Sequence, residues 1–133
     1  GVQVKDGGDV TIIATGLMLQ EALKASELLQ KEGIGARVID LHTIKPIDRD
    51  IIIKAAEETG AIVTTEEHNI IGGLGAAVSE VVGETCPVPV VKHGVEDEFG
   101  HSGTAEALMV KYGLTPEKIA AKAKEAIALK NRK

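Results

Sequence analysis

The residues best equipped for chemistry are Glu66-Glu67-His68-Asn69, followed closely by Gly72-Gly73-Leu74-Gly75. A histidine among carboxylates can exchange protons near neutral pH, because a neighbouring negative charge favours the imidazolium. The glycines add a second capacity. They let the backbone come close to another group, and free amides at a helix start attract an anion. Each feature also has a plainer reading. His68 suits a subunit contact, bonded to a backbone carbonyl, and no nucleophile or cofactor motif accompanies it, so the contact is the favoured reading. The glycines suit a tight turn and close helix–sheet packing. The dinucleotide pattern is not met: counting from Gly73 and Gly75, the third glycine position falls on Val78, and no P-loop lysine is present.

A second polar cluster runs from His93 through Glu96, Asp97, Glu98, Phe99, His101 and Ser102 to Gly103. Its histidines and acids invite a metal, but the spacing from His93 to His101 matches no common zinc motif, and the chain has one cysteine. Ser102 or Gly103 suits a helix N-cap. Phe99, the only phenylalanine, suits an anchor on a neighbouring surface, with His101 and Ser102 beside it. His42 reads as a structural loop histidine, and Cys86, beside Pro87, as a small packed residue. No residue is assigned as catalytic, cofactor-binding or metal-ligating. The candidate interface or anion-binding set is Glu66, Glu67, His68, Asn69, Gly72, Gly73 and Gly75, with Phe99, His101 and Ser102.

The elements that must position these groups alternate in type. Val2–Lys5 alternates like an edge strand, and Asp6-Gly7-Gly8-Asp9 makes a turn. The β-branched run from Val10 to Thr15 suits a parallel strand covered on both faces. Thr15-Gly16 opens a helix with Met18, Ala22, Ala25 and Leu29 on one face, ending near Gly33. A strand over Ala36–Leu41 precedes Pro46, and Asp48 caps a short helix that ends at Gly60. Then come a strand over Ala61–Thr65, a helix from Gly73 to Thr85 and a strand over Val88–Lys92. Pro89 gives that last strand an edge position. A helix over Thr104–Lys111 and one opening at Thr115-Pro116-Glu117 and running to Leu129 complete the chain. The pattern predicts one domain over residues 1–133. It is a three-layer α/β/α fold with a mainly parallel sheet of about five strands, one edge strand antiparallel. In strand order 2-1-3-4, counted from Val10, the ligand crevice lies between strands one and three. It is faced by Thr15-Gly16-Leu17 and by Glu66 to Gly75.

Composition narrows the functions. A chain of 133 residues with 44% apolar content buries a core without staples. Phe99 and Tyr112 are its only aromatics, which argues against stacking on bases or sugars. A net charge of −5 argues against nucleic acid and anionic membranes as partners. The basic residues near the end are interrupted by Glu117 and Glu125, as on a solvated helix face. Single-cysteine usage fits a reducing cytoplasm, and no secretory signal or membrane-spanning run is seen.

Four segments in order resemble the C-terminal domain of transketolases: Asp9–Gly16, Arg37–Asp48, Thr65–Asn69 with Gly72–Gly75, and Phe99–Gly103 with Tyr112–Thr115. Deoxyxylulose-phosphate synthase and the β subunits of 2-oxoacid dehydrogenases carry a similar domain. The Phe-Gly-x-Ser-Gly and Tyr-Gly-Leu-Thr segments lean towards transketolase or the synthase. The resemblance implies a thiamine-diphosphate enzyme that moves a two-carbon ketol unit between sugar phosphates. Such enzymes hold the diphosphate and a divalent metal (Mg) through a Gly-Asp-Gly motif in another domain, and Gly7-Gly8-Asp9 is not that motif. The activating glutamate also belongs elsewhere. The chain is therefore expected to bind no cofactor and to be inactive alone. Its expected role is to pack against the pyrophosphate- and pyrimidine-binding domains or subunit of the same enzyme, a homodimer when complete. The start at Gly1 and the missing apparatus fit a cut piece or the C-terminal subunit of a split transketolase. A nucleotide- or anion-binding regulatory module is the rival of a different class.

Overall fold

The structure, a computed structural model, describes residues 1–16, 18–41, 47–66, 73–93 and 115–132. Its sheet is built on β2 (Val10–Ala14), whose five residues are all buried, as a β-branched run must be when helices cover both faces. β3 (Ala36–Asp40) and β4 (Ile62–Thr65) flank β2 in parallel. β5 (Val90–His93) extends the sheet beyond β4, and β1 (Val2–Lys5) pairs antiparallel with β3. The order is β1-β3-β2-β4-β5, so the expected strand order and the antiparallel edge are both observed.

Alternation along each strand divides the core. Val10, Ile12, Val38 and Val63 pack under α1 (Met18–Lys31) and α4 (Pro116–Lys130). Ile13, Ile39 and Ile62 pack under α2 (Arg49–Thr59) and α3 (Gly73–Thr85). The caps follow from local chemistry. Asp48 accepts the Ile51 amide at the start of α2, and Thr115 accepts the Lys118 amide before Pro116 in α4. Gly60 ends α2 at φ 72°, a conformation that favours glycine. Lys130 ties α4 to the sheet by donating to the carbonyls of Asp9 and Thr59, the latter at the C-terminal end of α2, where a cation is favoured.

β2, β3 and β4 are each one residue shorter than the sequence reading, and β5 departs from it most. β5 starts at Val90 rather than Val88 and takes in His93, because the ladder with β4 begins at Ile62↔Val90. His93 therefore belongs to the strand, not to the loop after it. The helix expected over Thr104–Lys111 lies outside the described residues.

Gly83 tests helix propensity in isolation. It is exposed within α3, and a Cβ there would meet nothing within 4 Å. Gly83→Ala is expected to stabilise the domain by up to about 1 kcal/mol, read as a higher urea midpoint at unchanged m-value.

Candidate functional site

The strand order reverses between β2 and β4, since the chain runs outward from β2 to β3 and returns on the other side as β4. Both ladders continue past the strand ends. The Thr15 amide donates to the Thr65 carbonyl, continuing the series that begins with the bond from Thr11 to Ala61. The Glu66 amide donates to the His93 carbonyl, continuing the series that begins with the bond from Ile62 to Pro89. Thr15 and Glu66 are thus neighbours in register. They follow the alternation of Ile13 and Ile62, which puts both on the α2/α3 side of the sheet.

Glu66 is 6% exposed, and its carboxylate accepts the Leu74 amide at 2.8 Å. It thereby lies on the positive end of α3, in the position an anionic ligand would take. Gly75 is buried where α3 crosses the sheet. A Cβ there would lie 2.8 Å from Lys92 Cγ and 3.2 Å from Thr64 Oγ1. Its absence of a side chain permits the close helix–sheet approach. Gly73, at the first turn, is half-buried. On the opposite side of the sheet, the buried Thr65 hydroxyl and His93 Nδ1 are 3.1 Å apart.

Glu66, Gly73 and Gly75 are therefore brought to one corner. Glu67, His68, Asn69, Gly72, Phe99, His101 and Ser102, along with His42, lie outside the described residues. A cleft of about 320 Å³ opens beside the corner, lined by Ile47, Arg49, Gly73, Ala76, Ala77 and Glu80 among others. Sequence reasoning missed the Thr65–His93 pair, whose signal is the strand alternation carried one step further. Thr15, expected to face the crevice, is 6% exposed, and its hydroxyl has no hydrogen-bond partner among the described residues.

The corner offers hydrogen-bond acceptors and a hydroxyl but no paired nucleophile and base among the described residues. The described residues do not fit a diphosphate, because the Glu66 carboxylate already takes the Leu74 amide in the first turn of α3. The Gly7-Gly8-Asp9 turn does not fit one either. Asp9 accepts the Gly35 amide at 2.7 Å, and Asp6 accepts the Gly7 amide and pairs with Arg37. Among the described residues, no three His, Cys, Asp or Glu side chains stand together as metal ligands. No described helix is long and apolar enough to cross a membrane.

Comparison with known proteins places this arrangement. The family "Transketolase, C-terminal domain" matches residues 1–119. The chain is 48% identical to the "6-deoxy-6-sulfo-D-fructose transketolase subunit SqwH" of Clostridium sp. (strain MSTE9), covering 96% of this chain and 40% of that subunit. It is 42% identical to the "1-deoxy-D-xylulose-5-phosphate synthase" of Heliobacterium modesticaldum (strain ATCC 51547 / Ice1), covering 94% of this chain and 20% of the synthase. A solved structure described as "Split gene transketolase, inactive beta4 tetramer" superposes with a TM-score of 0.91 at 52% identity, covering 98% of this chain and 43% of that one. The chain thus spans less than half the length of each of these proteins. With the sequence segments, the sheet order and the family match in agreement, the chain belongs to the transketolase C-terminal domain family.

Proposed function

We propose that this chain is the C-terminal domain of a thiamine-diphosphate-dependent transketolase, a transferase that moves a two-carbon ketol group between ketose and aldose phosphates. It works only with the pyrophosphate- and pyrimidine-binding domains, whether on one polypeptide or on a separate subunit. Those domains hold thiamine diphosphate and Mg, and the complete enzyme is a cytoplasmic homodimer. The observation that carries this reading is family membership over residues 1–119 combined with a site corner that fits no diphosphate. The similar split-gene transketolase, a β4 tetramer described as inactive, supports the division of labour by analogy.

In this reading the stretch from Glu66 to Gly75, with Phe99, His101 and Ser102, is the edge offered to the partner domains. The rival use of the same stretch, as an anion or nucleotide effector site, is disfavoured by the Glu66 carboxylate on α3. The test is reconstitution. This chain alone, with thiamine diphosphate and Mg, is expected to leave xylulose phosphate unchanged, and addition of the cofactor-binding section is expected to restore turnover. Turnover by the chain alone would overturn the proposal. In the reconstituted enzyme, Glu67→Ala and His68→Ala are expected to weaken assembly, read by sedimentation, more than they lower turnover at saturating partner. A large loss of turnover with the assembly intact would place these residues in the chemistry instead.

A second reaction has a specific observation behind it, the 42% identity to a deoxyxylulose-phosphate synthase. Supplying a 2-oxoacid in place of the ketose donor separates the two, since only the synthase reaction releases carbon dioxide.

A further inference from the structure

The two helical layers carry opposite charge and complementary relief. The cleft of about 320 Å³ belongs to the α2/α3 layer. Ile47, Ala76, Ala77 and Val81 make it largely apolar, and the small side chains there leave room for an incoming one. Its rim is acidic. Arg49 is engaged by Glu84 at 3.3 Å, whereas the exposed Glu80 has no ion pair among the described residues. Over their lengths α2 and α3 carry Asp50, Glu57, Glu58, Glu80 and Glu84 against Arg49 and Lys54.

α4, on the other face of the sheet, has the reverse character. Lys118, Lys122, Lys124 and Lys130 outnumber Glu117 and Glu125. Leu129, near its end, is a large apolar residue that stays 40% exposed. The Arg132 amide donates to the Leu129 carbonyl, which keeps both residues on one turn. Arg132 is exposed, and its guanidinium has no acceptor among the described residues.

We propose that Leu129 of one copy of this chain enters the α2/α3 cleft of a second copy, where Arg132 pairs with Glu80. The leucine supplies the apolar burial, and the opposed charges of the two layers set the orientation. Cleft and leucine lie on opposite faces of the sheet, so the contact is head-to-tail. Each pair keeps one free cleft and one free leucine, and growth continues until a ring closes or a filament forms. The contact is small, so the association is weak. It does not depend on the reaction proposed above.

Sedimentation velocity of this chain over a rising concentration series tests it. The parent is expected to grow past a dimer, and added salt is expected to reverse the growth. Leu129→Asp should weaken the association by about tenfold or more, the scale of the lost apolar contact. Glu80→Gln should weaken it by up to about fivefold and flatten its salt dependence. Ala76→Trp fills the cleft and should leave a monomer. Ala76 and Leu129 are both exposed, so neither change disturbs the core. The decisive sample mixes Leu129→Asp with Ala76→Trp. Each retains the half that the other lacks, so together they should form a dimer that cannot grow. A parent that is monomeric at every concentration, a parent that stops at a dimer, or a mixture that stays monomeric would each overturn the proposal. Growth blocked by Ala76→Trp but untouched by Leu129→Asp would overturn it too, since another segment would then fill the cleft.

Discussion

Gly7→Ala is expected to destabilise the domain by about 3 kcal/mol or more, read as a large drop in urea midpoint, while Gly8→Ala next to it stays near the parent. A Cβ on Gly7 would lie 2.4 Å from the Ala36 carbonyl carbon and 2.6 Å from the Arg37 nitrogen. Both are backbone atoms, so no side chain can swing away. The β3 backbone cannot retreat either, because Ala36 is paired with Val10 and buried against the core. The turn would have to lift. Lifting it strains the bonds from Asp9 to Gly35 and pulls Asp6 from Arg37. Arg37 is 6% exposed and depends on Asp6 and Glu58 for its charge. Loosening a buried guanidinium from one of its acids adds to the steric penalty. Gly8 has open space where its Cβ would stand, which makes it the internal control. Equal midpoints for the two variants would contradict this account.

What could be read from the chain alone follows the range of the interaction that decides each feature. Asp48, Gly60 and Thr115-Pro116 act on residues within four positions, and each cap was legible. The β-branched run at Val10–Ala14 announced a central strand because both its faces need cover, a demand visible in composition. The shift of β5 to Val90–His93 was not legible. It depends on where β4 lies, a pairing between residues 28 apart, as in Thr65 and His93.

The site divides in the same way. Glycines at 73 and 75 signalled close approach, and Gly75 does bring α3 against Lys92 and Thr64. The sequence placed Glu66 among the polar groups of a loop, free to tune a histidine. Its bond to Leu74 depends on where α3 begins relative to the end of β4, which no periodicity encodes. The strand order already faced Thr15 and Glu66 onto one crevice, and the sheet register, through the bond from Thr15 to Thr65, makes them direct neighbours. An anion cradle is the inference that glycines before a helix carry, and the structure adds to it one carboxylate that accepts the Leu74 amide.

That carboxylate carries the remaining large expectation. Glu66→Ala should destabilise the domain by about 2–3 kcal/mol, since it leaves the buried Leu74 amide without its acceptor and strips a negative charge from the positive end of α3. Glu66→Gln should lose less, on the order of 1 kcal/mol, because an amide oxygen still accepts the bond and only the charge is gone. The ordering discriminates between causes. If the charge dominates, alanine and glutamine fall together. If the hydrogen bond dominates, glutamine stays close to the parent. Hydrogen exchange localises the effect: Leu74 and Gly75 should lose protection in Glu66→Ala, while Ile12 and Ile13 in β2 exchange through global unfolding and follow only the overall stability. The consequence for function comes through the helix. α3 begins at the corner assigned to the partner domains, so an unfastened first turn should lower affinity for the cofactor-binding section more in alanine than in glutamine. Unchanged protection at Leu74 in Glu66→Ala would mean that another group caps this helix, and that the clamp assigned to Glu66 is wrong.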